Sequence, residues 1–183
     1  MASLICGSIA YDTIMNFEGK FADQILPEQI HILNVAFLVP TMRREFGGCA
    51  GNIAYNLHLL GGDPIIMATV GGDANPYMDH LKQLNIDSSH IRQIDNAFTA
   101  QAMITTDQTN NQITAFHPGA MSESHLNQVA SVVAERNKNA KGAAKFGIVA
   151  PDGRQGMWEH CHQLADANIP FIFDPGQIGR AHV

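Results

Sequence analysis

Cysteine, basic clusters and long apolar runs are all scarce or missing, and each absence closes off a class of protein. The three cysteines, Cys6, Cys49 and Cys161, are odd in number and scattered. They fit reduced, cytoplasmic thiols better than a disulfide framework. Net charge is −6, the isoelectric point lies near 5.8, and no Lys/Arg cluster occurs. A nucleic-acid partner and an anionic membrane surface are therefore excluded. No stretch of eighteen apolar residues exists, and the opening MASLICGSIAYD lacks a basic leader, so it reads as a strand and not as a signal peptide. No GxGxxG, P-loop or Ser/His/Asp arrangement, internal repeat or low-complexity tract is found. His160-Cys161-His162 has the composition of a metal site. On a helix, though, residues i and i+2 diverge, and no second ligand pair lies at zinc spacing, so no metal is expected.

A hydrophobic fraction of 45% in 183 residues is enough for one domain with a real core. Leu4–Ile9, ending on Gly7-Ser8, and Ile65–Val70 read as strands, and Phe146–Ala150 and Pro170–Phe173 are short apolar runs of the kind buried in parallel sheets. Helices are predicted from Asp73 to Leu84 with Asp73 as cap, over Ser122–Asn137 with Ser122 as cap, and from about Gly153 to Ala167. Ile30–Val39 alternates and reads as a strand with Met42–Phe46 as its partner. Ala100–Thr106 and Gln112–Phe116 read as a hairpin around Asp107–Asn111. The later β/α rhythm predicts an α/β fold, a three-layer sheet sandwich.

Phe46–Gly62, FGGCAGNIAYNLHLLGG, carries the most information. Adjacent glycines let backbone amides approach a ligand and permit positive φ. Asn52 then opens an apolar helical run, serving either as its N-cap or as a ligand contact. In open α/β sheets ligands bind beyond the carboxyl ends of the strands. That rule singles out Ser8 and Asp12 after the first strand, the Phe116-His117-Pro118-Gly119 loop, and Asp174-Pro175-Gly176-Gln177. Asp12 is either a turn carboxylate or an acceptor for two vicinal sugar hydroxyls. Phe116 is either core or a flat ring on which a base can stack.

Gly47-Gly48-Cys49-Ala50-Gly51-Asn52, followed by a helix and Gly61-Gly62, resembles the first signature of the PfkB (ribokinase-like) family. Gly7-Ser8-Ile9-Ala10-Tyr11-Asp12 and Val70-Gly71-Gly72-Asp73 fit that family in order and spacing. Phe116-His117-Pro118-Gly119-Ala120-Met121-Ser122-Glu123 and the lid-like Ile32–Val39 look most like bacterial adenosine kinases. The resemblance implies a three-layer α/β/α core with a small β-strand lid, inserted at about 14–46 and closing on Gly47-Gly48 as hinge. It implies phosphoryl transfer from ATP with Mg2+ to the 5′-hydroxyl of a small-molecule nucleoside or sugar, adenosine above all, with a homodimer possible. Carried over, Asp12, Gly48 and Asn52, with the adjoining Gly47, would hold the ribose, and Ser8, Phe116 and Gln177 would surround the purine.

The family's catalytic half carries a GAGD-type motif, whose Asp takes the hydroxyl proton, and an NxxE motif that organises the metal. Neither occurs in this sequence. The resemblance therefore implies that the C-terminal half, with the catalytic Asp and most ATP and Mg2+ ligands, is missing. The last six residues, Ile178-Gly179-Arg180-Ala181-His182-Val183, back-translate to the opening of a common sequencing adapter. They are expected to be an artificial tail on residues 1–177, the N-terminal part of such a kinase. A sugar kinase of the same family and a non-catalytic nucleoside-binding protein are the alternatives.

Overall fold

The computed structural model describes residues 2–138 and 142–176. They group into two compact units. One comprises the chain up to Ala10, Phe46–Ala100 and the segment from Pro118 onward, and the other comprises Tyr11–Glu45 and Gln101–His117.

The first unit is built on a five-stranded sheet in the order β5-β4-β1-β8-β9. Its strands are β1 (Ala2–Cys6), β4 (Asp63–Gly71), β5 (Ile91–Ile94), β8 (Phe146–Val149) and β9 (Phe171–Phe173). Every pairing is parallel, with Ile5 opposite Ile66 and also opposite Ile148. A parallel sheet needs cover on both faces, which explains why β1 is buried along its whole length. Side chains alternate across a strand. Leu4 and Cys6 join Met67 and Val149 on one face, under Val129 and Val132 of α3 (Val129–Lys138) and Leu164 of α4 (Arg154–Asp166). The other face carries α1 (Cys49–Leu59), where Ser3, Phe146 and Ile148 line a groove with Ile53 and Leu57. The core is thus a three-layer α/β/α sandwich, as expected from the βα rhythm.

The second unit is a four-stranded sheet in the order β3-β2-β6-β7. It contains β2 (Ala10–Asn16), β3 (Thr41–Gly47), β6 (Ala100–Thr106) and β7 (Gln112–His117). β6 and β7 form the predicted antiparallel hairpin. Its turn is held by Asp107, which accepts hydrogen bonds from the Thr109 and Asn111 amides at 2.8 and 2.9 Å and from the Phe21 amide at 3.0 Å. These donors hold the Asp107 carboxyl well below the usual carboxylate range, against the opposing pull of desolvation.

Several predicted elements differ. Ile30–Val39 is not a strand. Pro27–Ile32 is a 3-10 helix, the residues after it have no regular structure, and β3 lies beside β2 instead. Ser122–Asn137 is not one helix, because a 3-10 helix, Gly119–Leu126, ends before α3 begins. Between them Asn127 turns inward and donates from Nδ2 to the Ala68 carbonyl at 2.8 Å, while Gln163 accepts the Val129 amide. Asp73 does not cap α2 (Asn75–Gln83). Its Oδ1 accepts the Thr99 amide and hydroxyl, each at 2.7 Å. β1 stops at Cys6, and β2 and β5 are strands that the sequence pattern did not separate.

Candidate functional site

From β1 the chain builds β4 on one side and later returns with β8 on the other, so their carboxyl ends border the point where strand order reverses. Gly7 and Ser8 follow β1 there. Backbone bonds tie the two ends together, from the Ala150 amide to the Cys6 carbonyl at 2.8 Å and from the Ser8 amide to the Pro151 carbonyl at 3.2 Å.

Ser8 is buried, and it performs the capping that was one of the two roles open to Asn52. Its Oγ accepts the Cys49 amide at 3.1 Å, and its carbonyl accepts the Ala50 amide at 2.9 Å. Two of the four amides left open at the start of α1 are satisfied in this way. The N-cap position belongs to Gly48, not to Asn52. Asn52 lies inside the first turn, its amide donating to the Gly48 carbonyl and its side chain exposed beside the α1 groove.

Gly48 has φ +87, and a Cβ on it would lie 2.6 Å from both the Ala10 nitrogen and the Ser8 carbonyl oxygen. Only glycine fits this position. Gly47 is buried, and its carbonyl accepts the Tyr77 hydroxyl at 2.8 Å. The pair is thus contacted from both sides within the first unit.

Ser8, Gly47, Gly48 and Asn52 are thus brought together around the start of α1. Asp12 and Phe116 belong to the other unit. Asp12 is half-buried on β2, and desolvation raises its carboxyl above the usual range. Next to it, Tyr11 is buried with the Arg44 guanidinium 3.6 Å over its ring. Phe116 stands on β7 and not in a loop, paired across the hairpin with Ala102 and 52% exposed, so it is no core residue. β6 lies between the strands that carry Asp12 and Phe116. Gln177 and the Ile178–Val183 tail lie outside the described residues.

Sequence reasoning missed Asp152. It follows the carboxyl end of β8, as Ser8 follows that of β1, and the apolar run Phe146–Ala150 just before it was the available signal. Burial pushes its carboxyl up to about 7, although the Gly153 amide donates to Oδ1 and pulls the other way. A carboxyl at a strand's end with so large a shift marks a functional-site candidate. Tyr77 was missed as well, because its partner is thirty residues away in sequence.

His160 and His162 diverge, as helical geometry requires. His160 is buried with Nε2 3.2 Å from the Asn127 carbonyl, and His162 packs edge-on against Trp158. Among the described residues, no group of three His, Cys, Asp or Glu is placed to hold a metal ion, and no helix is long and apolar enough to cross a membrane. Cys6, Cys49 and Cys161 are free thiols.

Comparison with known proteins places these features in a family. The family model described as pfkB family carbohydrate kinase matches residues 12–180. A nucleoside kinase of Methanocaldococcus jannaschii is 31% identical over 180 residues, 97% of this chain and 53% of that protein. The structure of Burkholderia thailandensis nucleoside kinase in complex with inosine superposes with a TM-score of 0.76 at 56% identity, over 96% of this chain and 53% of that one. Ribokinase from Cryptococcus neoformans, 14% identical with a TM-score of 0.71, shares the fold. The chain spans about half the length of these relatives. It belongs to the pfkB family of carbohydrate kinases.

Proposed function

We propose that this chain is the acceptor-binding, N-terminal part of a nucleoside kinase that phosphorylates the 5′-hydroxyl of a purine nucleoside with MgATP, turning adenosine into AMP. The observation that supports a nucleoside over a free sugar is the 56% identity, across 96% of the chain, to an enzyme solved with inosine. The same enzyme solved with ADP-inosine supports an adenine nucleotide as the second ligand.

In this reading Asp12 accepts hydrogen bonds from the two ribose hydroxyls. A half-buried carboxylate with a raised pKa gains when ligand donors replace the solvent it has lost. Gly48 and Asn52 contribute from the start of α1, with Gly47 fixing the turn. Ser8 closes the base pocket. Phe116 offers an exposed ring for stacking, and Gln177 a purine-facing amide. The Tyr11–Glu45 and Gln101–His117 unit serves as the lid, whose closure excludes water from the acceptor hydroxyl.

The residues present do not fit an ATP–Mg2+ site, since neither the GAGD nor the NxxE motif occurs in the sequence. Phosphoryl transfer depends on positioning and on charge neutralisation, and both are assigned to residues outside this chain.

A coupled ADP-release assay tests the reading. The full reading frame should turn over adenosine or inosine, and the 183-residue chain alone should not. Turnover of ribose or fructose at equal kcat/KM would establish the sugar-kinase reading instead.

A further inference from the structure

We infer that Tyr77 is a positioning residue for the acceptor. Its hydroxyl fixes the Gly47–Gly48 peptide plane and so sets the direction in which the Gly48 N–H is offered to a sugar hydroxyl. The inference rests on the nucleoside-kinase reading and adds a residue to that site.

Tyr77 is 2% exposed on α2, and its hydroxyl donates to the Gly47 carbonyl at 2.8 Å in buried surroundings. In a planar trans peptide, C=O and the following N–H point in opposite directions. Anchoring the Gly47 oxygen on α2 therefore turns the Gly48 N–H away from α2. The anchor itself is held in place. Phe46 meets the Tyr77 ring edge-on at 5.0 Å, and the His80 ring stacks on Phe46 at 4.2 Å and 12°. Inside the first turn of α1, Gly51 has no Cβ, and a Cβ there would run into the Tyr77 hydroxyl. Gly51 thus makes the room that lets the hydroxyl reach the Gly47 carbonyl.

Gly48 is fixed on its other side by the backbone of Ser8–Ala10. Without the hydroxyl, the 47–48 peptide loses its anchor on α2. A buried carbonyl that has lost its donor is also costly, and the plane would tilt to find another. The amide would then meet the acceptor at a poorer angle, and hydrogen bonds weaken steeply as they bend.

Tyr77→Phe keeps the ring and removes only the anchor, whereas His80→Ala loosens the packing and keeps the anchor. Both are made in the full reading frame. The Gly48 amide resonance is recorded without ligand, and adenosine affinity is measured by calorimetry. Tyr77→Phe should move the Gly48 resonance and weaken adenosine binding about five- to tenfold, the scale of one hydrogen bond. ATP KM should stay within about twofold. His80→Ala should lower Tm and leave both the resonance and the affinity in place. An unmoved Gly48 resonance in Tyr77→Phe, or unchanged adenosine affinity beside a wild type that binds, overturns the inference. If the wild type binds no nucleoside, the kinase reading fails, and the ligand-free Gly48 resonance still decides whether Tyr77 sets that peptide.

Discussion

The two sheets of this protein treat their side chains in opposite ways. In the parallel sheet β1 is buried throughout, and β4 is buried from Pro64 to Gly71. In the second unit's sheet, where β6 and β7 pair antiparallel, all of β7 and all of β3 but Gly47 are exposed, leaving Met42, Ile113 and Phe116 open to solvent. A parallel sheet is stable only with both faces covered, so its residues are committed to the core. An antiparallel sheet can leave a face free, and apolar side chains there are available to a ligand. Substitutions in the first sheet and its glycine turn should therefore read out as stability. Those in the second should read out as acceptor use.

Gly48→Val should break this division most severely, because the turn belongs to both accounts. A β-branched residue at φ +87 is strained, and its Cβ would meet the Ala10 and Ser8 backbone. A loss of about 3 kcal/mol or more is expected by denaturant unfolding, with kcat falling and KM rising. Unchanged stability would show that the turn tolerates a side chain.

Asp12→Ala should touch function alone. Charge-assisted hydrogen bonds of about 1.5–3 kcal/mol each predict a loss of roughly ten- to a hundredfold in kcat/KM for nucleoside, with ATP KM unaltered. The wild-type acceptor KM should also rise on acidification, starting above the usual carboxylate range, because burial raises the Asp12 pKa. A flat pH–KM profile would remove the carboxylate from the site.

Asp152 sharpens the stability side. Its carboxyl, at about 7 in the folded chain, keeps a proton that the unfolded chain releases near pH ~4. Its contribution is therefore fully present below pH ~4 and lost as pH rises toward 7. Urea midpoints at pH 5 and pH 8 should show the wild type losing stability relative to Asp152→Asn. A constant difference between the two would contradict the buried, neutral carboxyl.

The smallest effect lies in hydrogen exchange of Ile30–Phe46. Protection there should rise when adenosine binds the full-length enzyme, as lid closure requires. Protection that is high and unchanged by ligand would end the lid reading.

What the sequence disclosed follows the same division. Leu4–Cys6 and Ile65–Val70 were legible as strands, and Phe146–Val149 as a buried one, because burial on both faces leaves a continuous apolar stretch. Ile30–Val39 misled because alternation alone makes no strand. The segment lies between Pro27 and Pro40, and prolines donate no ladder hydrogen bond. The break in Ser122–Asn137 depends on Asn127 reaching Ala68, fifty-nine residues away, which no local pattern encodes. Ser8 and the glycine pair stood out in the sequence as polar or Cβ-free positions next to apolar runs, and the fold sets them together at the start of α1. Asn52 stood as one candidate cap for α1 because the side chain that caps it, Ser8, is remote in sequence. Tyr77 and Asp152 were hidden for the same reason, since each acquires its role only from what the fold places beside it.

The central claim is that the acceptor is a nucleoside, and calorimetric titration of the full-length protein tests it most directly. Adenosine or inosine should bind with one-to-one stoichiometry and far more tightly than ribose, because in the proposed site only a nucleoside would add base stacking on the exposed Phe116 ring to the sugar contacts. Ribose binding as tightly as either nucleoside, or no nucleoside binding at all, would contradict the account.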